Sequence, residues 1–475
     1  MCRGAGCNVT FSSPVLDRCT LVVTEGARVI LQSPQFVDVA SGEAPVAILA
    51  HGTDTYVSIK SGMVYGGAPA VAVQAGAQLE AEELVVSHPE ASGVQVQGIG
   101  SHVSLDKCEF QGSPRHLSLF THANGVYMHD GASADLVAVT VSGLRKGMVW
   151  TSGATGSMDA CVVQDTLAEA VHVCERSSVN LEGCTIGRSK KAGLCAEGAG
   201  TSVAASRCEF LDNEEFGVLA ASGGGLEATG CKSSGNKQAG FRARGWGTVM
   251  DLSCSSSKGD SKGCAVSDGG RVTVFDTTIQ GCKHEGVSVE SVGEANLKVC
   301  TIKGCTQGVT VTGGASRVYA ETCTVTNTQL EGVLVVCVMP TAPHATYARA
   351  VLRDCLLSHS AEASGVATMG EYSDVEVYHC KLAKNRQCGA LGTQGAKLHA
   401  YGCSSQGNKE AGFCAQNRAN VTVDSCSSVG DKEGVSVTAG GKLHMEDVKV
   451  NGQRQSDGPC KRKGGGWGSR ACCVA

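Results

Sequence analysis

Apolar residues alternate with polar ones in short runs along most of the chain. Val287 and Val289 follow a glycine with one polar residue between them, and Val272 and Val274 repeat this spacing in a second run. A third short run follows Cys323. Because side chains of a strand point alternately to its two faces, the pattern predicts short β-strands with one buried face each.

The runs recur with a period that a glycine marks. The stretches "GVLAASGGGLEATGCKSSGNKQ" from Gly217, "GFRARGWGTVMDLSCSSSKGDS" from Gly240 and "GFCAQNRANVTVDSCSSVGDKE" from Gly412 carry one pattern. Most steps between such glycines are 22 to 24 residues, and two are 32 and 33. The glycine slot holds Gly93, Gly125, Gly147, Ala170, Gly193, Gly217, Gly240, Gly263, Gly286, Gly308, Gly332, Gly365, Gly389, Gly412 and Gly434.

Three short strands per period, separated by Gly, Asn, Asp and Ser turns, predict one coil of a solenoid. We predict an all-β, single-stranded right-handed parallel β-helix of about 17 coils over residues 1–452, with 453–475 as a flexible basic tail. The coil pattern "G-V/F-x-V/A … C-x-V/I/F-x-x-N" resembles the right-handed β-helix repeat proteins of the pectin-lyase-like superfold. That resemblance implies a fold that hosts lyases, hydrolases, substrate-recruiting adaptors and scaffolds, so it leaves the function open.

Composition and charge narrow the function classes. The chain has 63 glycines, 42% hydrophobic residues and only 4% aromatic residues, which suits a narrow core. The net charge of -5 is spread along the chain, and no basic stripe interleaves with aromatic residues, so nucleic acid is not an expected partner. Neither a signal peptide nor a long apolar segment is recognisable, so we expect a cytoplasmic location.

Many of the 26 cysteines share one position of the coil. Adjacent coils lie about 4.8 Å apart, whereas a disulfide needs Cβ atoms about 3.8 Å apart. We therefore predict a ladder of free buried thiols, and the absence of a C-x-x-C pair predicts no metal site and no cofactor. The predicted cysteine slot holds Cys108, Cys161, Cys184, Cys208, Cys231, Cys254, Cys300, Cys323, Cys355, Cys380, Cys403 and Cys426, with Val139, Thr277 and Val448 in other coils.

Asparagines form a second recurring slot, five residues after the cysteine. Asn213, Asn236, Asn385 and Asn408 occupy it, and Asn327 lies one residue earlier in its coil. An asparagine in such a turn can adopt the left-handed conformation and bond to the next coil. We interpret these residues as structural.

Catalytic groups are not evident along the repeat. Asp276, Asp354 and Asp447 share a slot but lie in distant coils, and His399 and His444 are two coils apart. The catalytic sets of polygalacturonases and pectate lyases are not recognisable. Of the three tryptophans, Trp246 is the one predicted surface platform, since Trp150 falls on an inward slot.

Two insertions interrupt the period, and loops that project from a repeat often carry function. The first covers residues 112–124 and the second 337–350. We predict that they contact a partner. The candidate contact residues are Arg115, His116, Phe120, His122, His344 and Tyr347.

These observations predict a non-enzymatic scaffold or recognition protein that binds a protein partner through its outward strand faces and these loops. The alternative is a carbohydrate-binding or polysaccharide-degrading protein of the pectin-lyase-like type. A substrate adaptor of a ubiquitin ligase is a third reading, although no helical module that would suit an F-box precedes the first coil.

The C-terminal residues "CCVA" fit the pattern for prenylation, with Cys472 as the modified residue. Lys461, Arg462, Lys463 and Arg470 lie upstream, and a basic cluster is the second signal that a single lipid anchor requires. The sequence thus predicts a membrane tether at the tail, against the alternative of a solvated end.

Overall fold

A computed structural model describes residues 1–39, 46–112, 123–337 and 347–451, together with the strand Gln453–Gln455. Each coil contributes three strands, which we call A, B and C in chain order, and each strand pairs in parallel with the same strand of the next coil. The described residues make about 18 turns. The predicted all-β, right-handed parallel β-helix of about 17 coils is therefore confirmed.

The chain divides into two compact units, Met1–Gln238 with Gly247–Val249, and Ala239–Trp246 with Met250–Ala475. The A strands of unit 1 are Cys2–Arg3, Leu21–Thr24, Ile48–His51, Val71–Gln74, Ser92–Gln97, Asn124–His129, Lys146–Trp150, Val171–Cys174, Leu194–Glu197 and Phe216–Ala221. Its B strands are Asn8–Ser12, Arg28–Gln32, Tyr56–Lys60, Gln78–Glu82, His102–Asp106, Ser133–Val137, Thr155–Asp159, Ser178–Glu182, Ser202–Ser206 and Gly225–Thr229. Its C strands are Val15–Asp17, Gln35–Val37, Met63–Tyr65, Val85–Ser87, Glu109–Gln111, Thr140–Ser142, Val162–Gln164, Thr185–Gly187, Glu209–Leu211 and Lys232–Ser234.

Unit 2 repeats the arrangement. Its A strands are Ala239–Arg244, Lys262–Ser267, Glu285–Glu290, Gln307–Thr312, Val333–Val336, Val366–Met369, Ala390–Thr393, Ala411–Ala415 and Glu433–Val437. Its B strands are Val249–Ser253, Arg271–Phe275, Glu294–Lys298, Arg317–Glu321, Ala348–Arg353, Ser373–Tyr378, Lys397–Tyr401, Asn420–Asp424 and Lys442–Glu446. Its C strands are Ser256–Lys258, Thr278–Gln280, Thr301–Lys303, Thr324–Thr326, Leu356–Ser358, Lys381–Ala383, Ser404–Gln406, Ser427–Val429 and Val448–Val450.

Alternation along the B strands separates the core from the solvent. In Arg271–Phe275 the valines at 272 and 274 are buried, and the residues on either side of them are exposed. The recurrence of glycine at one position of each coil has a different, steric reason. A Cβ on Gly308 would lie 2.2 Å from the carbonyl oxygen of Gly332 in the next coil, so only glycine or a slightly displaced alanine fits between the stacked A strands.

The cysteine slot is inward, as predicted, and every cysteine in the described part of the chain is free. The thiol of Cys161 donates to the carbonyl oxygens of Leu136 (3.5 Å) and Asp159 (3.4 Å), and other rungs repeat these two bonds. Burial raises the pKa of the Cys108 thiol to about 11, so this rung stays protonated.

One predicted rung is wrong. Cys254 is exposed with φ of 49°, and the buried residue before the C strand Ser256–Lys258 is Ser255. The Ser255 hydroxyl donates to the carbonyl of Ser253 at 2.9 Å, as the thiols do in other coils. Cys254 instead takes the left-handed position that Asp276 and Asp354 occupy in their coils.

The asparagine slot is structural, as predicted, but not because of a left-handed backbone. Asn213 donates to Asn236 Oδ1 at 2.9 Å, and Asn385 to Asn408 Oδ1 at the same distance, so buried amides bond from coil to coil. The positive φ belongs to the preceding residue, for example Asp212 at 54°. Asn327 shows the same rule, since its φ is 54° and it lies one residue before the slot.

The insertions lie between the strands that the sequence predicted. Residues 112–124 connect the C strand Glu109–Gln111 to the A strand Asn124–His129, and 337–350 connect Val333–Val336 to Ala348–Arg353, so the last three residues of the second insertion belong to a B strand. At the C-terminus, Gln453–Gln455 forms an antiparallel strand beside Val448–Val450. The first residues of the predicted tail thus continue the β-structure.

Candidate functional site

Most predicted contact residues lie outside the described part of the chain. This applies to Arg115, His116, Phe120, His122 and His344 in the insertions and to Cys472 in the tail. Their roles stay predictions. Tyr347 and Trp246 are described.

Trp246 is a surface residue, as the sequence indicated. Its side chain is 74% exposed. The ring lies against the backbone of Gly269. A Cβ placed on that glycine would be 2.5 to 2.9 Å from three ring atoms. A glycine at position 269 therefore leaves room for the indole ring.

Tyr347 belongs to a group of tyrosines that lie on the outward side of the B strands in unit 2 or directly before these strands. Five of the chain's eight tyrosines lie there. We call this surface the tyrosine face, and it consists of Tyr319, Tyr347, Tyr372, Tyr378 and Tyr401 with the adjacent Arg349, Arg353, Glu376, Lys397 and His399. The register places these side chains in neighbouring coils, for example Arg353, Tyr378 and Tyr401 in one row.

The rings are held by each other and by cations. The ring centroids of Tyr347 and Tyr372 are 6.2 Å apart, and those of Tyr378 and Tyr401 are 6.4 Å apart. Arg353 Cζ lies 5.1 Å from the centroid of Tyr378, within the range of a cation–π contact. The residues that present these rings are thus fixed before any ligand arrives.

Lys397 ties the second insertion to this surface. Its Nζ lies 4.7 Å from the ring centroid of Tyr347 and donates to the Tyr347 hydroxyl at 3.3 Å. Tyr347 lies within the second insertion, directly before the B strand Ala348–Arg353, and is 39% exposed. The predicted contact residue Tyr347 therefore lies at the edge of the tyrosine face.

An ion pair supports the middle of the face. Arg349 Nη2 donates to Glu376 Oε1, and the Tyr378 hydroxyl donates to Glu376 Oε2 at 3.0 Å. Burial alone would lower the pKa of Arg349, but the bond to Glu376 and its charge raise it. Burial and then the Glu376 carboxylate raise the pKa of Tyr378. Both groups keep their protons at neutral pH, so the face presents donors and intact phenols.

Sequence reasoning missed this site because it considered only tryptophan as a platform. The signal was present, since five tyrosines fall between residues 319 and 401 of a chain with 4% aromatic residues. The Arg349–Glu376 pair is also an arginine and acid in adjacent coils, of the kind sought along the repeat without success. Its two partners are 27 residues apart, because Arg349 lies opposite Asp374 in the register and Glu376 lies two residues further along the same face.

A second cluster lies on the outward side of the A strands in unit 1. Lys146 Nζ donates to His172 Nδ1 at 2.6 Å and contacts Glu169 Oε2 at 3.2 Å. On the other side, His172 Nε2 lies 3.4 Å from Glu197 Oε2. The side chains of His172 and Glu169 are 14% and 13% exposed, so this is a largely buried polar network.

The charges in this network determine which of its side chains are protonated at neutral pH. Burial by itself would raise the pKa of Glu169, but Lys146 and then Lys191 lower it to about 2. Burial and the Lys146 ammonium lower the pKa of His172. At neutral pH Glu169 is therefore ionised and His172 is neutral.

One set of side chains in the described residues has the composition of a metal site. Ligand atoms of His172, Cys195 and Glu197 all lie within 4.8 Å of one another. His172 and Glu197 border a groove of about 590 Å³ that is also lined by Cys174, Glu175 and Arg176. The sequence indicated none of them, because the three residues do not follow a metal-ligand spacing along the chain.

Among the described residues, no helix has the length and apolar character that crossing a membrane would require.

Comparisons with solved structures found similar chains of low identity. The periplasmic alginate epimerase AlgG aligns with 93% of this chain and 84% of its own at 8% identity and a TM-score of 0.24. A mutant of the PL6 family alginate lyase AlyGC aligns over 94% and 87% at 7% identity and 0.27. The AlgE4 A-module, a mannuronan C-5 epimerase of Azotobacter vinelandii, aligns over 93% and 90% at 9% identity and 0.19. These values carry no inference about substrate or activity.

A comparison with curated protein sequences found no match. The family profile described as "Right handed beta helix region" matches residues 46–206, 92–257, 206–338 and 344–466, which together include most of the chain. With the coil geometry above, these matches show that the chain belongs to the right-handed β-helix family.

Proposed function

We propose that this protein is a non-enzymatic recognition protein that binds a protein partner through the tyrosine face. The observation that carries the proposal is the concentration of five tyrosines, with arginines between them, on one outward surface of unit 2. Tyrosine and arginine are enriched at protein interfaces and among the residues that contribute most to binding energy.

Pre-arrangement of the rings supports this role. A tyrosine that already packs on a neighbouring ring or under a cation loses little conformational freedom when a partner covers it. Tyr378 packs against Tyr401 and under Arg353, and Tyr347 lies under Lys397. The same side chains are still open to a partner, since Tyr319, Tyr347 and Tyr401 are 39%, 39% and 44% exposed.

The charges of the face suggest the chemistry of the partner surface. Arg349 is neutralised by Glu376, while Arg353 and Lys397 lie over ring faces and keep the outer side of their charge available. A partner with carboxylates beside aromatic or aliphatic side chains would be complementary to this surface.

The test compares captured partners between surface variants of the full chain. We expect Tyr319→Ala and Tyr401→Ala each to lower the captured amount of a specific partner at least about tenfold, which is the loss expected from a residue at the centre of an interface. Tyr65→Ala is the matched control, because Tyr65 is 45% exposed on a C strand of unit 1. Equal capture by all four proteins would contradict the proposal.

Carbohydrate binding is the second candidate, because exposed tyrosine rings with charged donors beside them also suit sugar rings. The imidazole ring of His379 contacts the Tyr401 ring edge-on, with centroids 5.5 Å apart. Binding of the wild type to a panel of polysaccharides, lost in Tyr401→Ala and kept in Tyr65→Ala, would favour this candidate over a protein partner. Turnover of a polysaccharide would overturn the non-enzymatic assignment.

A further inference from the structure

The outward side of two adjacent A strands in unit 1 brings four reactive side chains into one block. Val171–Cys174 and Leu194–Glu197 pair in parallel, with His172 opposite Cys195 and Cys174 opposite Glu197. Residues two apart on a strand share a face, and opposite residues of paired strands are neighbours. The backbone register therefore holds an imidazole, two thiols and a carboxylate together.

Three of these groups are close enough to share one ion. The ligand atoms of His172, Cys195 and Glu197 lie within 4.8 Å of one another. Thiolate, imidazole and carboxylate together are the ligand types of zinc, whereas calcium and magnesium sites are built from oxygen alone. A zinc ion with three protein ligands keeps one position open for water or another molecule.

The surroundings provide both a support and an access path. Cys195 is 4% exposed, while His172 and Glu197 border the groove of about 590 Å³. A fourth ligand could therefore reach the ion from the groove. Strands rather than loops carry all three side chains, so their Cα positions are fixed by the ladder.

We propose that His172, Cys195 and Glu197 bind a zinc ion whose open coordination position faces this groove. The Nε2 atom of His172 faces Glu197, while Nδ1 accepts from Lys146. When zinc binds, the Cys195 thiol releases its proton, and the single proton of the neutral imidazole moves from Nε2 to Nδ1, so one proton is released in total. The protonated Nδ1 then faces the Lys146 ammonium.

Lys146 is therefore a competitor of the ion. Its ammonium holds His172 in the form that carries the proton on Nε2, and it adds a positive charge near the site. It also has a second partner, since Glu169 Oε2 lies 3.2 Å from Nζ. Replacement of Lys146 by Met should strengthen zinc binding, whereas replacement of a ligand should abolish it.

The test is zinc affinity of the full chain, measured by competition with a chromophoric chelator under reducing conditions. We expect one tight zinc ion per chain, and a loss of affinity of at least about 100-fold in His172→Gln, Cys195→Ser and Glu197→Gln. Cobalt substituted for zinc reports the thiolate directly, because the sulfur-to-cobalt charge-transfer band should be present in the wild type and missing in Cys195→Ser.

Cys414→Ser is the matched control for this chain of many thiols. Cys414 is 2% exposed and takes the same outward place in an A strand of unit 2, where Leu391 and Ser436 are its neighbours in the adjacent coils. It should keep the tight zinc ion and the cobalt band. The proposal is overturned if the three ligand variants bind zinc as the wild type does, or if Cys414→Ser loses the ion to the same extent.

Discussion

At the scale of single residues, the polar network around Lys146 shows how the packing of neighbouring coils determines whether a buried carboxyl group is ionised. Glu169 is 13% exposed, and burial of a lone carboxylate would favour its neutral form. Lys146 and Lys191 reverse this effect and lower the pKa of Glu169 to about 2. The ionised form is the one that stabilises the folded chain.

Glu169→Gln should therefore destabilise the protein in a pH-dependent way. The pKa of Glu169 is depressed on folding, so its contribution is present above an unfolded pKa of about 4.5 and is lost as pH falls toward about 2. The shift corresponds to at most about 3 kcal/mol at pH 7. Urea unfolding at pH 7 and pH 3 measures it, with the exposed Glu227→Gln as control. A stability difference that is equal at both pH values would contradict the pKa assignment.

At the residue scale, the predicted inward position of Cys254 was wrong, and the predicted early position of Asn327 was right, for the same reason. Cys254 and Asn327 each lie one position before a recurring slot, where the backbone has a positive φ. The repeat tolerates a shift of one residue in its turns, because a left-handed turn residue accepts several side chains. Which of the two neighbouring side chains points inward is decided only by the three-dimensional fold.

At the scale of the element, the interior of the turns is filled by stacks of one residue type from coil to coil, instead of by a conventional apolar core. Asn408 is 2% exposed and uses its whole amide: it donates to Asp431 Oδ1, Leu382 O and Ser405 Oγ at 2.9, 3.1 and 2.8 Å, and it accepts from the Asn385 backbone and side chain. Buried polar groups of this kind stabilise only when every partner is present.

Asn408→Ala should lower the free energy of unfolding by about 3 kcal/mol, because it removes the buried hydrogen bonds that the Asn408 amide makes with four residues, Asn385, Asp431, Leu382 and Ser405. Asn420→Ala, at an exposed position of the neighbouring B strand, should change stability by less than about 0.5 kcal/mol. Urea denaturation followed by circular dichroism compares the two. Equal midpoints for both variants would show that the ladder contributes little.

At the scale of the whole molecule, each coil contacts its neighbours through three parallel strand pairs. The stability of such a repeat is a sum of coil terms and nearest-neighbour terms. A local defect should therefore open the coils beside it before it affects remote ones.

Gly308→Ala is the sharpest probe of this behaviour. Its Cβ would lie 2.2 Å from Gly332 O and 2.3 Å from Val325 Cγ1, so the A strands must separate locally. We expect faster amide hydrogen exchange in coils within residues 286–332 and unchanged exchange in residues 46–206. Gly281→Ala is the control, since its Cβ would meet nothing within 4 Å and only the φ of 63° is unfavourable, at a cost of about 1 kcal/mol. Uniformly faster exchange would contradict a nearest-neighbour description.

The sequence by itself determined the coil, its three strands, the inward cysteines and the places where the insertions leave. These features are local, because alternation and a glycine every 22 to 24 residues are readable within one period. Only the tertiary structure decided which outward side chains meet. His172 and Cys195 are 23 residues apart in sequence, and so are Tyr378 and Tyr401. Each pair is adjacent in space because residues one period apart occupy equivalent positions in neighbouring coils, whose strands stack in parallel.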